Sequence, residues 1–154
     1  MKNTLLILLS LSIVLCAVSC VHDVEENRYG IVTYIFKNDS GHSLSIEISK
    51  ATGAVDKDTQ KPISLKKVLF LDVPKGTTAY QDVVEEPSIP VMDFYACSIV
   101  FDDGKHLEYS KETINDIVAD RTNPLSYMAY EHNLVDSQRT CTFTITESHY
   151  QSAE

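Results

Sequence analysis

Apolar and polar residues alternate along much of the chain with the period of a β-strand. The alternation is clearest at Leu44, Ile46 and Ile48, which share one face, while polar side chains between them share the other. Such a period predicts a strand with one buried and one solvated face, as in an antiparallel sheet. Similar segments at residues 95–101 and 139–146 extend the prediction to a mainly β chain.

Seven or eight short strands are expected, with turn residues between them. The predicted strands cover residues 30–37, 43–49, 63–73, 78–84, 95–101, 105–109, 125–132 and 139–146. The Asp103-Gly104 pair is a strong hairpin signal, because a two-residue turn needs positive φ at both positions. The first two strands are expected to form another hairpin. Residues 51–62 are polar and are expected to form a long loop.

Helical periodicity is short and local. Ser110 is expected to cap a helix that ends near residue 120, because Ile114, Ile117 and Val118 form one apolar stripe. A helical turn is also expected after Glu147. This pattern predicts two packed antiparallel sheets, an immunoglobulin-like β-sandwich with one short helix. A small barrel is the alternative.

The first twenty residues follow a different pattern. Lys2 precedes an apolar run with interspersed serine over residues 4–18, and small residues follow. A cationic start, a short apolar core and small residues before a cleavage point are typical of a secretory signal peptide. The run is shorter than the roughly 20 residues that a membrane-spanning helix needs. A membrane span is therefore the weaker alternative.

The end of this leader, Ala17-Val18-Ser19-Cys20, resembles the lipobox of bacterial lipoproteins. The resemblance implies cleavage before Cys20 and attachment of lipid to its sulfur, although the Leu usual in that family is replaced by Ala17. A plain signal peptide without lipid is the other alternative. The sequence thus divides into a signal peptide at residues 1–19, an acidic tether at 20–28 and a single β-sandwich domain at 29–154.

The chain as a whole is similar to small lipoproteins of Bacteroides-type bacteria. Besides Cys20, the similarity involves the Asp102–Lys105 hairpin and the ending at residues 144–150 with Ala153. Acidic residues after the lipidated Cys also resemble the surface-export signal of such proteins. The resemblance implies a lipid-anchored outer-membrane protein on the periplasmic side or the cell surface. It supplies no activity that can be transferred to particular residues.

The charge of the chain restricts its partners. Without residues 1–19 the chain keeps 12 of its 13 basic residues and all 22 acidic ones, for a net charge near −10. Nucleic acid is disfavoured as a partner, because phosphate binding requires a basic surface. Anionic lipid is disfavoured for the same reason, so acyl chains must provide the membrane attachment.

Two cysteines remain after Cys20, namely Cys97 and Cys141, and both fall on the predicted inward face of a strand. In an oxidising compartment they could form a disulfide, which would stabilise the fold by about 4 kcal/mol in the chain-entropy model. Two separate buried thiols are the alternative. No Cys-x-x-Cys pair accompanies them, so no metal site is predicted.

No catalytic motif is found in the sequence. The five histidines form no metalloprotease pattern, and serine-hydrolase and nucleotide-binding glycine motifs are missing. No enzymatic activity and no cofactor are predicted. Tyr109, Tyr127 and Tyr130 are candidates for a ligand surface, although half-buried strand tyrosines are the simpler interpretation.

Three functions are compatible with these features. The first is a non-enzymatic module at the cell envelope that binds a protein or glycan partner through an exposed apolar patch. The second is a small envelope inhibitor or immunity-type protein that would insert an ordered loop, with residues 50–62 the best candidate. The third is a hydrolase, which would require a pocket with convergent histidine and carboxylate groups.

Overall fold

The computed structural model describes residues 30–85, 90–135 and 138–154. The leader, the lipidation site Cys20 and the acidic tether lie outside these residues. The described part contains eight strands, a 3-10 turn and one α-helix. These are β1 Gly30–Asp39, β2 Leu44–Val55, β3 Pro62–Val73, β4 Thr78–Glu85, β5 Phe94–Phe101, β6 His106–Ser110, the 3-10 turn Tyr127–Ala129, β7 Glu131–Val135, β8 Gln138–Thr146 and α1 Glu147–Ser152.

The strands form two four-stranded sheets that pack together as a β-sandwich. The β1 sheet has the order β4-β1-β8-β7, and the β2 sheet has the order β3-β2-β5-β6. Neighbouring strands are antiparallel except for β1 and β8, which run parallel with Phe36 opposite Phe143. The predicted β-sandwich is confirmed, with one parallel pair that joins the beginning and the end of the domain.

The core consists of the apolar residues at alternate strand positions that the period-two pattern of the sequence predicted to be buried. Leu44, Ile46 and Ile48 on β2 are buried, and Phe143 and Ile145 on β8 face them from the other sheet. Each large apolar side chain removed from water stabilises the fold by about 1.5–3 kcal/mol. The apolar face of each strand is therefore the main source of stability.

The predicted first hairpin is wrong. β1 pairs with β4 and β8, whereas β2 pairs with β3 and β5, so the two strands lie in different sheets. The connection between β1 and β2 is held in place by Asn38, which is fully buried. Its side-chain nitrogen donates to the carbonyl oxygens of His42, at 2.7 Å, and Val73, at 2.9 Å. Asn38 therefore directs the chain from one sheet to the other.

The long loop predicted at residues 51–62 is also wrong. β2 continues to Val55 and β3 begins at Pro62, which leaves only residues 56–61 between the strands. This part of the hairpin extends beyond the sandwich and is solvated on both faces. Without a buried face there is no period-two pattern, and the segment resembled a loop for that reason.

The Asp103-Gly104 hairpin is confirmed, with a different turn. The backbone N–H of Phe101 donates to the Lys105 carbonyl oxygen at 2.8 Å, and that of Gly104 donates to the Phe101 carbonyl oxygen at 3.0 Å. Gly104 has φ of +90°, and Asp103 is not in the left-handed region. The connection is therefore a three-residue loop, in which a single glycine supplies the positive φ.

The helix predicted from Ser110 to residue 120 is wrong, because that segment is irregular. Ile117 is 77% exposed, and the Asp116 carboxylate accepts hydrogen bonds from both the backbone N–H and the hydroxyl of Thr113. Such local side-chain bonds compete with helix formation. The helical turn expected after Glu147 is confirmed as α1. The strand predicted at 125–132 is instead the 3-10 turn followed by β7.

Candidate functional site

The three tyrosines proposed for a ligand surface do not form one. Tyr130 is 6% exposed, and its hydroxyl donates to the Pro124 carbonyl oxygen at 2.9 Å, so it belongs to the core. Tyr109 lies on β6 in the other sheet and is half-buried, which raises the pKa of its hydroxyl to about 12. Only Tyr127 has an exposed ring, and that ring stacks on His132 at 3.9 Å.

Cys97 and Cys141 are separate buried thiols and are not joined by a disulfide. Cys97 lies on β5 of the β2 sheet, and Cys141 lies on β8 of the β1 sheet. The inward orientation that the sequence predicted is correct for both residues. The second of the two alternatives, two small hydrophobic thiols inside the core, is the one the structure contains.

Cys141 does have a polar neighbour that the sequence did not indicate. The His132 Nδ1 atom lies 3.4 Å from the Cys141 sulfur, and Nε2 lies 2.8 Å from the Tyr127 carbonyl oxygen. A thiol, an imidazole and an orienting acceptor in line have the arrangement of a nucleophile and its base. Cys141 is only 1% exposed, however, so an external substrate cannot approach its sulfur in this conformation.

The most distinctive exposed feature is the outer part of the β2–β3 hairpin, residues 50–67, which we call the arm. β2 pairs with β5 only as far as Lys50 opposite Phe94, whereas its pairing with β3 continues to Val55 opposite Pro62. The arm is therefore a two-stranded extension of a four-stranded sheet. An isolated pair of strands is only marginally stable in water, so the arm depends for its stability on its continuity with the sheet.

The two faces of the arm differ in polarity. Ile63 is 68% exposed and Leu65 is 47% exposed, and these residues lie on the same face of β3. On the opposite face, the hydroxyl groups of Thr52 and Ser64 lie 3.0 Å apart and form a cross-strand hydrogen bond. The arm thus presents an apolar face and a polar face to solvent, although it contributes to no core.

The arm is basic within an acidic protein. Residues 50–67 contain five lysines and two aspartates, a net charge of +3, whereas the whole chain has a net charge of −9. Lys50 and Lys66 are directly opposite each other on β2 and β3. Like charges at opposed positions destabilise a strand pair, so local stability does not account for this arrangement.

The described residues contain no group of three or more His, Cys, Asp or Glu side chains that could hold a metal ion. No helix among them has the length and apolar character needed to cross a membrane.

Comparison with known proteins adds no family to these observations. No family model, curated protein or solved structure matches the chain. The function must therefore be argued from the charge, exposure and geometry of its own residues.

Proposed function

We propose that this protein is a bacterial envelope lipoprotein, anchored through Cys20, that acts as a non-enzymatic binding module. Its arm binds an extended, acidic segment of a protein partner. The leader ending in Cys20 supports the anchoring. The arm supports the binding, because it combines exposed Ile63 and Leu65 with a net charge of +3.

The position of β3 indicates how such a segment would bind. β3 is the end strand of the β2 sheet, so a partner strand can pair with its outer edge. Main-chain hydrogen bonds would supply affinity, and side chains at alternate positions would contact Ile63 and Leu65. Acidic side chains on the partner would face the lysines of the arm, which favours an acidic partner over a basic one.

An envelope inhibitor or immunity-type protein is a second candidate function. It is supported by the finding that residues 50–62 belong to an ordered hairpin with a six-residue tip rather than to an irregular loop. An inhibitor would insert this tip, residues 56–61, into a cleft of its target. Substitutions at the tip would then abolish binding, whereas strand pairing along β3 depends on Ile63 and Leu65.

The anchoring is tested with Cys20→Ser in the native host. The variant should lose the added acyl mass and move from the detergent phase to the aqueous phase. A Cys20→Ser protein that still partitions into detergent would contradict the lipid assignment. The wild-type protein should carry its lipid on residue 20 as the new N-terminus.

The binding is tested by photo-crosslinking in intact cells, with the crosslinker at Leu65. The matched control is position 84, because Val84 is 69% exposed on β4 of the other sheet. Crosslinks at position 65 should join one acidic partner segment and should be lost in Ile63→Asp, while the control position yields none. Equal crosslinking at both positions, or a basic partner segment, would overturn the proposal. Loss of the crosslink on substitution of the tip alone would favour the inhibitor.

A further inference from the structure

The outer edge of the β2 sheet is open along the arm. β3 is the end strand of that sheet, and the side chain of Gln81 on β4 bonds to its backbone at Val68 and Phe70. Beyond these residues β3 continues to Pro62, and no other described strand pairs with its outer edge there. The open edge therefore covers residues 62–67. At about 3.3 Å per residue it can pair with about six residues of a partner strand.

A β-bulge sets which side chains share a face of β3. Ile48 on β2 lies opposite Leu69 on β3, whereas the next residue, Ser49, lies opposite Lys67. Val68 is therefore an extra residue in β3. An extra residue shifts the alternation of side chains by one position, so bulges re-aim the side chains that follow them. The odd-numbered residues of β3 face the core after the bulge and face solvent in the arm.

The outer face of the arm carries the apolar side chains. Leu65 lies opposite Ala51, and Phe70 lies opposite Glu47. Ala51 and Glu47 alternate with the buried residues of β2, so all four side chains lie on the face that points away from the core. Leu65 is 47% exposed and Phe70 is 51% exposed. Together with Ile63 they form one apolar stripe that runs along β3 from the arm onto the sheet.

The inner face of the arm carries a lysine whose charge is unpaired. Lys66 lies opposite Lys50, and these side chains share the face opposite that of Leu65. The Nζ atom of Lys50 lies 3.9 Å from the Asp93 carboxylate and 5.6 Å from the centroid of the Phe94 ring. The ammonium group of Lys66, by contrast, is exposed and makes no hydrogen bond or ion pair with the described residues. It is therefore available to a carboxylate on a partner.

We propose that the arm selects a strand in which apolar and polar side chains alternate and in which a carboxylate lies beside Lys66. This inference rests on the proposed function and specifies the residues that the bound segment carries. Side chains of paired strands lie on matching faces. The ligand side chains beside Ile63 and Leu65 are therefore apolar, and the one beside Lys66 is acidic. The apolar contacts supply affinity, and the charge complementarity supplies specificity.

A second copy of the chain fits this edge less well than such a segment. Pairing of two β3 strands along their open edges would bring the lysines of one arm next to the lysines of the other. Like charges at neighbouring positions of paired strands are destabilising. The lysines thus disfavour edge-to-edge self-association and favour a partner of a different sequence.

The test is a titration of the full chain, in an uncharged detergent, with three capped peptides of eight residues. Each peptide alternates valine with threonine, and one central threonine is replaced by glutamate, glutamine or lysine. The amide chemical shifts of residues 62–67 report binding, and that of Val84 in the other sheet is the reference. The glutamate peptide should bind about two to five times more tightly than the glutamine peptide, as expected for one exposed ion pair. The lysine peptide should bind more weakly than either.

Variants of the arm show whether Lys66 causes this preference. Lys66→Gln should remove the preference for glutamate, and Lys66→Glu should reverse it in favour of the lysine peptide. Lys57→Glu at the tip is the matched control, because it changes the net charge by the same amount, and it should behave as the wild type does.

Four results would overturn the proposed selectivity. They are equal binding of the three peptides to the wild type, no saturable shift with any peptide, equal effects of Lys66→Glu and Lys57→Glu, and concentration-dependent shifts of residues 62–67 without peptide. The last result would show that a second copy occupies the edge.

Failure of this selectivity can be distinguished from failure of the proposed function. The crosslinker at position 65 tests whether the arm binds a partner in cells. A crosslinked acidic segment without alternating apolar residues would overturn the selectivity and leave the binding by the arm intact. Absence of any crosslinked partner would contradict the proposed function even if the peptides bind as expected.

Discussion

The side-chain oxygen of Gln81 accepts a hydrogen bond from the backbone N–H of Phe70 at 3.2 Å. The amide nitrogen of the same side chain donates to the Val68 carbonyl oxygen at 3.1 Å. Gln81 belongs to β4 of the β1 sheet, whereas Phe70 is on the edge strand of the β2 sheet. One side chain thus occupies the place that another strand would take. Such a cover on an edge strand prevents edge-to-edge association. The cover reaches Val68 and Phe70 and does not extend to the part of β3 that lies in the arm.

Gln81→Ala should destabilise the fold, because it removes both bonds and leaves polar backbone groups partly buried. We expect a loss of about 1–2 kcal/mol, the cost of two neutral hydrogen bonds in a partly solvated position. Urea denaturation measures the loss, and light scattering should show increased self-association. Val84→Ala on the same strand removes an exposed side chain and is expected to leave both measurements unchanged. Equal effects of the two substitutions would contradict the role assigned to Gln81.

The strands with one buried face could be predicted from the sequence. The order in which the strands pair within each sheet could not. Alternation at Leu44, Ile46 and Ile48 shows which side chains face the core and carries no information about the strand alongside. The buried amide of Asn38, which sends β1 and β2 to different sheets, looked like an ordinary turn residue. Its role depends on the carbonyl oxygen of Val73, which is distant in sequence.

The candidate sites were less predictable than the fold, for two physical reasons. Residues 51–62 of the arm have no buried face and therefore lack the period that identifies a strand, and the excess of lysine in the arm is hidden in the total charge. The apolar spacing of Ile114, Ile117 and Val118 misled the prediction, because the Asp116 carboxylate satisfies the local backbone instead.

Asn38→Ala should be among the most destabilising single substitutions in the described part of the chain. The side-chain oxygen of Asn38 accepts a hydrogen bond from the Ser40 hydroxyl at 2.7 Å. The side-chain nitrogen of Asn38 donates hydrogen bonds to the carbonyl oxygens of His42 and Val73. Loss of the amide leaves buried acceptors unsatisfied, at a cost of about 3 kcal/mol. The change is measured by urea denaturation. Asp39→Ala, at the exposed neighbouring position, is the control and should have a much smaller effect.

The two core thiols should be protected in the folded protein and reactive after unfolding. Cys97 and Cys141 are each 1% exposed, so iodoacetamide should modify neither in native buffer. In denaturant without reductant, mass spectrometry of the peptides should show both residues fully alkylated. Peptides that stay linked until a reductant is added would demonstrate a disulfide and contradict separate thiols.

Alkaline pH should destabilise the protein through Cys97 and its cross-strand neighbour Tyr109. Burial, with a smaller contribution from Glu108, raises the pKa of the Cys97 thiol far above its ordinary value of 9.0. Burial, followed by the effect of Cys97, raises the pKa of Tyr109 from 10.0 to about 12. Both groups are neutral when protonated, so the folded state retains protons that the unfolded state releases. The stabilisation is complete below pH 9.0 and decreases as the pH rises above it.

The slope of the free energy of unfolding against pH shows whether Cys97 and Tyr109 are the groups responsible. Each proton retained only by the folded state lowers the free energy of unfolding by about 1.4 kcal/mol per pH unit. Urea denaturation from neutral pH to about pH 11 should therefore show a steeper decline in the wild type than in Cys97→Val. The variant keeps a buried apolar side chain at that position without an ionisable group. Tyr109→Phe should flatten the curve only above pH 10, where the unfolded tyrosine begins to ionise. Parallel curves for wild type and both variants would show that neither group is shielded from solvent in the folded protein.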